Sequence, residues 1–251
     1  MKVIAVASQK GGAGKTSSIL AIGQGLAHRR DRILYIDMDY QCSLTDMLGG
    51  QDAACKTIYD ILISNGVQLR EGIKATEYGG YIAGSQMMAH LDTLMPGADV
   101  DRLRKLIRRL PGSSYDAVLI DTPPALSLPQ LMAIHAADTI IIPIQADRQH
   151  YQQLKSLLFT INTARQSGCD PTVQYIVTRY NPRVRINQAY YDAIVQVMDA
   201  EGIEQLGIVS ESSVIREAQG TDADLFADYP KSKPAQEYGV VVDRIAENIR
   251  Q

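Results

Sequence analysis

A glycine-rich loop between an apolar run and a helical pattern is the feature that most constrains the fold of this chain. Residues 10–16 read Lys-Gly-Gly-Ala-Gly-Lys-Thr and directly follow the apolar run at residues 3–8. Apolar residues then recur at the spacing of one helix face, at Ile19, Ile22 and Leu26. A strand, a glycine turn and a helix in this order bring backbone N–H groups and the positive end of the helix together. The loop therefore predicts an anion cradle.

Strand-like and helix-like patterns alternate along the rest of the chain. The further strand patterns lie at residues 33–36, 117–120, 139–144, 173–178 and 206–209. The further helix patterns lie at residues 57–63, 100–110, 128–136, 151–165, 187–200 and 235–249. Nearly continuous apolar strands that alternate with helices predict βαβ crossovers and a buried parallel sheet. We therefore expect the α/β class: a single P-loop NTPase domain over residues 1–251, with a mainly parallel twisted sheet and helices on both faces.

The composition excludes several other classes of protein. With 45% hydrophobic and 21% charged residues, the chain has enough apolar residues to form a sizeable hydrophobic core. Its three cysteines, Cys42, Cys55 and Cys169, form no C-x-x-C pair, which argues against a disulfide framework and against iron–sulfur proteins. No apolar stretch approaches the ~18 residues of a membrane span, and the first apolar run is too short for a secretory leader. We expect a cytoplasmic protein.

The lysine and threonine that close the loop are typical of nucleotide binding. In the pattern G-x-x-x-x-G-K-[ST], Lys15 would contact the β- and γ-phosphates and the Thr16 hydroxyl would coordinate Mg²⁺. The chain departs from this pattern at its start, where Gln9 replaces the usual glycine and an additional lysine, Lys10, follows. The alternative is a glycine turn that only tightens a strand–helix junction. The agreement of the motif with its flanking patterns argues against that alternative.

Carboxylates follow two of the predicted strands. Asp37 and Asp39 come after the second strand, and their spacing on extended chain points both side chains the same way. Asp121 closes the apolar run at residues 117–120 and would hold Mg²⁺ through a water molecule. Because the carboxyl ends of parallel strands meet at one edge, a carboxylate cluster is predicted beside the loop. The alternative role for Asp39 or Ser43 is to cap a helix.

The loop with its two lysines resembles the deviant Walker A motif of the ParA/MinD ATPases, and nearly the whole chain resembles ParA-type partition ATPases. The resemblance implies ATP and Mg²⁺ as cofactors. It also implies that Lys10 reaches across a homodimer to the partner's ATP phosphates, as an arginine finger does. The implied catalytic residues are Lys10, Lys15 and Asp39. The implied nucleotide-binding residues are Lys10, Gly11, Gly12, Ala13, Gly14, Lys15, Thr16, Ser17 and Asn181.

The same resemblance assigns roles at the strand ends. Asp39 would position the attacking water, while Thr16, Asp37 and Asp121 would form the metal site. Asn181, which ends another strand pattern, would contact the adenine edge, because an amide offers both a donor and an acceptor. The alternative for Asn181 is a turn-forming Asn-Pro pair. An aspartate is a weak base near neutral pH, so slow hydrolysis is expected.

By resemblance, the expected function is an ATP-dependent dimerisation switch for plasmid or chromosome partition. The ATP dimer would bind double-stranded DNA non-specifically and be nucleoid-associated, and a centromere-binding ParB-type protein would stimulate hydrolysis. The net charge of −3 means that DNA contact requires a local basic patch. The candidates are Arg183, Arg185 and Arg216, for which ordinary surface charge is the alternative.

Two other functions remain open from the sequence. A MinD-like positioning ATPase would associate with membranes, but Gln41 and Ser43 follow the partition-type form. Residues 240–251 also lack a long basic amphipathic helix, so no membrane contact is expected. Instead, Val240, Val241, Ile245 and Ile249 are predicted to dock on the domain. The second alternative is a metabolic P-loop ligase or kinase with a small-molecule acceptor.

Overall fold

The structure, a computed structural model, describes residues 1–250, so the last residue of the predicted domain lies outside it. The strands are β1 Lys2–Val6, β2 Ile33–Asp37, β3 Ile73–Thr76, β4 Gly79–Ile82, β5 Ala117–Asp121, β6 Thr139–Gln145, β7 Thr172–Tyr180 and β8 Glu204–Ser210. The helices are α1 Lys15–His28, α2 Ser43–Met47, α3 Ile58–Ile63, α4 Leu91–Leu94, α5 Arg102–Ile107, α6 Leu128–Ala136, α7 Arg148–Gln166, α8 Arg185–Ala200, α9 Ser213–Gly220 and α10 Lys233–Arg250.

The eight strands form one sheet in the order β3-β4-β2-β5-β1-β6-β7-β8. The β3–β4 pair is antiparallel, and the strands from β4 to β8 pair in parallel. In this register Asp121 stands beside Val6 on one side and beside Asp37 on the other. The strand ends that carry the predicted site residues therefore lie together, at the carboxyl ends of the central strands β2, β5 and β1.

Helices cover both faces of the sheet, which gives two cores. Side chains on a strand alternate between faces. Along β5, Val118 and Ile120 belong to the core under α3, α5, α6, α7 and α8. Leu119 belongs to the core under α1, α2 and α10. All of these β5 side chains are fully buried, so the prediction of a sheet covered on both sides is confirmed.

Two glycines in α1 let the helix pack closely on both of its neighbours. A Cβ on Gly23 would collide with the Tyr35 ring of β2. A Cβ on Gly25 would lie 2.6 Å from Val242 Cγ2 of α10. The Ser18 and Tyr238 hydroxyls add a buried hydrogen bond of 3.0 Å between α1 and α10. The helix that begins at the glycine loop is thus held between the sheet and the last helix.

The structure differs from the sequence predictions at several points. The β3–β4 hairpin and helix α9 were not predicted, and the helix expected at residues 100–110 spans only Arg102–Ile107. Of the four residues predicted to dock on the domain, Val241 and Ile245 are buried and Ile249 is partly buried, but Val240 is 53% exposed. Tyr238 joins the buried side of this helix. In residues 1–250, no helix combines the length and apolar character that crossing a bilayer would require.

Candidate active site

The glycine loop adopts a backbone conformation that few other residues could adopt. Gly12 and Gly14 have φ of 80° and 87°, in the left-handed region. Gly14 caps α1, and no side chain among the described residues caps this helix start. A Cβ built on Gly11 or Gly12 meets no protein atom within 4 Å. The loop thus presents the positive end of α1 to open space, which suits a phosphate group.

Two side chains from the neighbouring strands β6 and β7 donate hydrogen bonds to carbonyls of the loop. Gln145, at the end of β6, donates a hydrogen bond from Nε2 to the Gly12 carbonyl. Thr178 of β7 donates from Oγ1 to the Ala13 carbonyl at 2.8 Å. These contacts occupy loop carbonyls and leave the adjacent amides to face a ligand. Sequence reasoning missed both residues, and their position at strand ends was the only signal for them.

Lys15 and Thr16 lie close to the carboxylates of the adjacent strand ends. Thr16 Oγ1 donates to Asp121 Oδ2 at 2.7 Å. Lys15 is buried, and burial lowers its pKa, while the charges of Asp121 and Asp39 act in the opposite direction. The structure therefore brings together the two residues that the motif assigns to phosphate and metal with two of the predicted carboxylates.

The carboxylates at this edge are strongly perturbed. Burial raises the pKa of Asp121 to about 7, and the neighbouring charge of Asp37 adds to the rise. Burial also raises the pKa of Asp37 to about 6, against the opposing hydrogen bonds from Thr45. A divalent cation would relieve this concentration of buried negative charge. Carboxylate and hydroxyl oxygens are hard ligands of the kind Mg²⁺ prefers, so the residues present fit that ion.

Asp37 organises the segment that follows β2. Its Oδ2 accepts hydrogen bonds from the Thr45 amide at 2.9 Å and from Thr45 Oγ1 at 2.7 Å. Its Oδ1 accepts from the Asp39 amide at 3.0 Å. The Thr45 hydroxyl in turn accepts from the Gly84 amide at 2.7 Å. In this structure Asp37 holds the loop that carries Asp39, and its direct contact with a metal remains a prediction.

Asp39 is buried beside Lys15 and does not act as a helix cap. Its Oδ1 accepts a hydrogen bond from the Gln41 amide at 3.0 Å. Burial raises its pKa, and the charge of Lys15 opposes this rise. Cys42 is the cap of α2, and no described side chain caps that helix start, so the capping alternative for Asp39 and Ser43 does not apply to α2.

A cleft beside the loop is the candidate place for the rest of a nucleotide. It lies between the glycine loop, the ends of β7 and β8, and helix α9. The lining residues include Gly14, Ser17, Thr178, Arg179, Ser210, Arg216, Gln219 and Tyr238. Gln219 Nε2 donates to Ser17 Oγ at 2.7 Å, which ties α9 to the start of α1.

The structure places Arg179, rather than Asn181, along this cleft. Asn181 Oδ1 accepts a hydrogen bond from the Arg183 amide at 3.1 Å, so the side chain stabilises its own turn. Contact between Asn181 and adenine would require this turn to open, and that assignment remains a prediction. From the sequence, Arg179 was a further basic candidate for DNA contact and had no role at the nucleotide; its φ of 50° bends the chain at the end of β7.

Lys10 lies at the entrance of the loop, and its side chain is less buried than that of Lys15. It shares a small cavity with His150, which is buried near the start of α7. The His150 ring is hydrogen-bonded to Asp147 at 2.8 Å. Burial lowers the pKa of His150, and the charges of Lys10 and Lys15 contribute to the shift. His150 therefore adds no positive charge beside the two lysines near neutral pH.

The three candidate DNA-binding arginines are all exposed, but they do not share one environment. Arg183 and Arg185 lie just before and at the start of α8. Arg216 lies on α9 and lines the nucleotide cleft. A substitution of Arg216 could therefore alter nucleotide binding as well as any DNA contact.

Comparison with known proteins decides the family. Residues 1–174 match a family model described as an AAA domain. The chain is 32% identical to the chromosome partitioning protein ParA of Myxococcus xanthus, with 74% of this chain and 67% of that protein covered. This chain belongs to the ParA-type ATPase family. It is also 34% identical to the sporulation initiation inhibitor protein Soj of Bacillus subtilis, with 65% of each chain covered.

Solved structures share the whole fold of this ParA-type ATPase. McdA from Cyanothece superposes with a TM-score of 0.85 at 21% identity, covering 96% of this chain and 99% of that one. Cobyrinic acid a,c-diamide synthase from Mycobacterium smegmatis, bound to an ATP analogue and magnesium, gives 0.81 at 25% identity, covering 100% and 96%. The predicted family and the predicted α/β P-loop fold are both confirmed. Use of ATP and Mg²⁺ is a property seen among these neighbours.

The raised carboxylate pKa values predict how stability depends on pH in the nucleotide-free, Mg²⁺-free protein. The pKa values of about 7 for Asp121 and about 6 for Asp37 exceed the ~3.9 of an unfolded aspartate. The folded state therefore keeps protons that the unfolded chain releases. Its free energy of unfolding should fall as pH rises from about 4 through about 7. Thermal unfolding across this range should show a shallower fall for Asp121→Asn, and an unchanged slope would contradict the assignment.

Proposed function

We propose that this ParA-type ATPase is an ATP-dependent dimerisation switch. Two protomers close over two ATP molecules, and Lys10 of each protomer lies against the phosphates bound by its partner. The closed dimer binds double-stranded DNA without sequence preference. Slow ATP hydrolysis, stimulated by a centromere-binding ParB-type protein, returns the chain to the monomer and drives plasmid or chromosome partition.

The observation that carries the proposal is a second lysine, Lys10, at a phosphate loop that already contains the phosphate-binding Lys15. Lys15 is buried beside Asp121 and Asp39 and serves the nucleotide of its own chain. Lys10 lies at the outer start of the loop and is more accessible. A cation in that place can neutralise charge on the phosphoryl group of a facing subunit. Its interaction with ATP is then available only in the closed dimer, which is what couples the nucleotide to assembly.

The proposed chemistry divides among the residues of the site. The loop amides and Lys15 bind the phosphates, and Thr16 and Asp121 hold Mg²⁺, which supplies charge neutralisation when bound. Asp37 keeps the loop of Asp39 in place through the Asp39 amide. Asp39 orients the attacking water, and its raised pKa brings it nearer to the range of a useful base.

DNA binding by such a dimer must work against the overall charge. Two chains at −3 each give 2 × (−3) = −6, so the contact has to be local and sensitive to salt. Arg183 and Arg185 are exposed and flank Val184 at the start of α8. We propose these two residues as the primary contact, with Arg216 contributing from the rim of the nucleotide cleft.

Co-sedimentation of Asp39→Ala with ATP distinguishes the candidate functions. We expect the protein to sediment with duplex DNA when ATP is present and to stay in solution with ADP. Sedimentation with anionic liposomes alone would instead support a MinD-like membrane ATPase. Binding to neither would favour a metabolic ATPase with a small-molecule acceptor.

A charge-reversal pair locates the contact in the same experiment. Arg183→Glu with Arg185→Glu should weaken DNA binding by at least about tenfold at moderate salt, with ATPase activity and dimer formation unchanged. The matched control is Arg108→Glu with Arg109→Glu, which changes two exposed arginines after the end of α5. Equal losses in the two double variants would indicate a general charge effect and reject the proposed contact.

A further inference from the structure

Three potential metal ligands converge far from the nucleotide loop. Asp101 precedes α5, His135 lies in the last turn of α6, and Cys169 lies between α7 and β7. These positions belong to the amino ends of the parallel strands β6 and β7, whereas the glycine loop follows the carboxyl end of β1. The seven residues of β6 correspond to roughly 20 Å between the two edges. The group therefore has no part in the proposed ATP chemistry.

The ligand atoms have the separations that one small cation requires. His135 Nδ1 lies 3.3 Å from Cys169 Sγ and 3.4 Å from Asp101 Oδ1. All three atoms lie within 4.8 Å of one another. A tetrahedral zinc site with bonds of about 2.0–2.3 Å has ligand–ligand edges of about 3.3–3.6 Å. The two shorter separations match such edges closely.

Hydrogen bonds also join these groups, and the Cys169 thiol can donate to the His135 carbonyl at 3.7 Å. Cys169 and Asp101 approach the same ring nitrogen, so a single Nδ1 proton can serve only one of them at a time. A relay of the Cys–His–Asp type would place the two partners on opposite ring nitrogens, and this geometry does not do so. His135 and Cys169 are both buried, and Asp101 is partly exposed to solvent.

We propose that Asp101, His135 and Cys169 bind a divalent cation of the zinc class, with solvent at the fourth position beside Asp101. A thiolate and an imidazole favour zinc over magnesium, while the carboxylate completes a ligand set common for zinc. On binding, the Cys169 thiol loses its proton to solvent as the sulfur–metal bond forms. His135 binds through Nδ1 and keeps its proton on Nε2, so charge and protons balance.

Neighbouring arginines moderate the affinity of the site, since the charges of Arg104 and Arg108 both reach Cys169. Arg104 Nη1 lies 3.7 Å from Cys169 Sγ and can donate a hydrogen bond to the thiolate. Its positive charge favours the thiolate but opposes a second cation nearby. A bound metal would connect the start of α5, the end of α6 and the segment before β7. We expect the site to stabilise this edge of the sheet rather than to take part in ATP hydrolysis.

The test measures Zn²⁺ binding by the full chain, with excess Mg²⁺ present to occupy the nucleotide-site carboxylates. Competition with a chromophoric chelator should give one Zn²⁺ per chain. Co²⁺ in its place should give a thiolate charge-transfer band. Both signals should be lost in Cys169→Ser and kept in Cys55→Ser, a control cysteine outside the group.

A second variant tests the same site independently, so that misfolding of Cys169→Ser is not mistaken for loss of a ligand. Asp101→Asn changes the partly exposed ligand and should weaken Zn²⁺ binding by more than the 10–100-fold typical of supporting groups. Both variants should still bind ATP, which shows that the fold is intact. Unchanged Zn²⁺ binding in both variants, or loss of the site only in Asp121→Asn, would overturn the proposal without affecting the proposed ATP switch.

Discussion

Lys15→Ala should bind ATP at least about a hundredfold more weakly than the unchanged protein. The side chain is the buried cation of the site. Burial removes water from its charge, which lowers its pKa, and a bound phosphate would compensate for the lost water. A charged hydrogen bond to phosphate is worth about 3 kcal/mol, which corresponds to that loss of affinity. Isothermal titration calorimetry with Mg²⁺ and ATP measures the effect directly.

The matched control for Lys15 is the other lysine of the loop. Lys10→Ala should leave ATP binding to the monomer nearly unchanged, because Lys10 lies outside the group formed by Lys15, Asp39 and Asp121. It should abolish the ATP-dependent dimer on a sizing column. Tight ATP retention by Lys15→Ala would contradict the site, whereas loss of monomer binding in Lys10→Ala would contradict its action across the dimer.

Asp39→Ala should hydrolyse ATP about a hundredfold more slowly and accumulate as an ATP-bound dimer. The carboxylate is buried beside Lys15, where it can orient a water molecule towards the terminal phosphate. Removal of a positioned acid or base typically costs between about a hundredfold and ten-thousandfold in rate. Phosphate release assays and size-exclusion chromatography with ATP measure the two effects.

The control for this variant is a carboxylate on the adjacent helix. Asp46→Ala removes an exposed acid of α2 that lies near the same loop, and its rate should stay close to normal. A monomeric Asp39→Ala protein in ATP would show that Asp39 is needed for assembly rather than for hydrolysis. Equal rate losses in the two variants would indicate a general effect of negative charge at this edge.

The sequence was most informative where local pattern and chemistry coincide. The glycines of the loop, the apolar strand that ends in Asp121, and the paired Asp37 and Asp39 each combine a secondary-structure signal with a functional side chain. Parallel strands must then bring these ends to one edge. The fold class and the grouping of Lys15, Thr16 and Asp121 therefore followed from the sequence.

Contacts between distant segments could not be predicted in the same way. Gln145 and Thr178 support the glycine loop through hydrogen bonds from other strands, and neither belongs to a motif. The β3–β4 hairpin has strands of only four residues, and a Cβ on Gly79 would collide with the Ile33 backbone. The role of Asn181 at adenine stays a prediction from the resemblance, and its hydrogen bond from the Arg183 amide could not be predicted from the sequence.

The close packing of α1 determines which parts of the molecule can report whether ATP or ADP is bound. Gly23 and Gly25 leave no clearance against Tyr35 and Val242, so this helix cannot tilt or slide without disturbing the core that it shares with β2 and α10. At the rim of the cleft, within residues 1–250, the side-chain hydrogen bond between α9 and α1 is that of Gln219 with Ser17. We therefore expect α1 to keep its position when ATP is hydrolysed, and we expect structural differences between the ATP and ADP states to lie at the rim of the cleft.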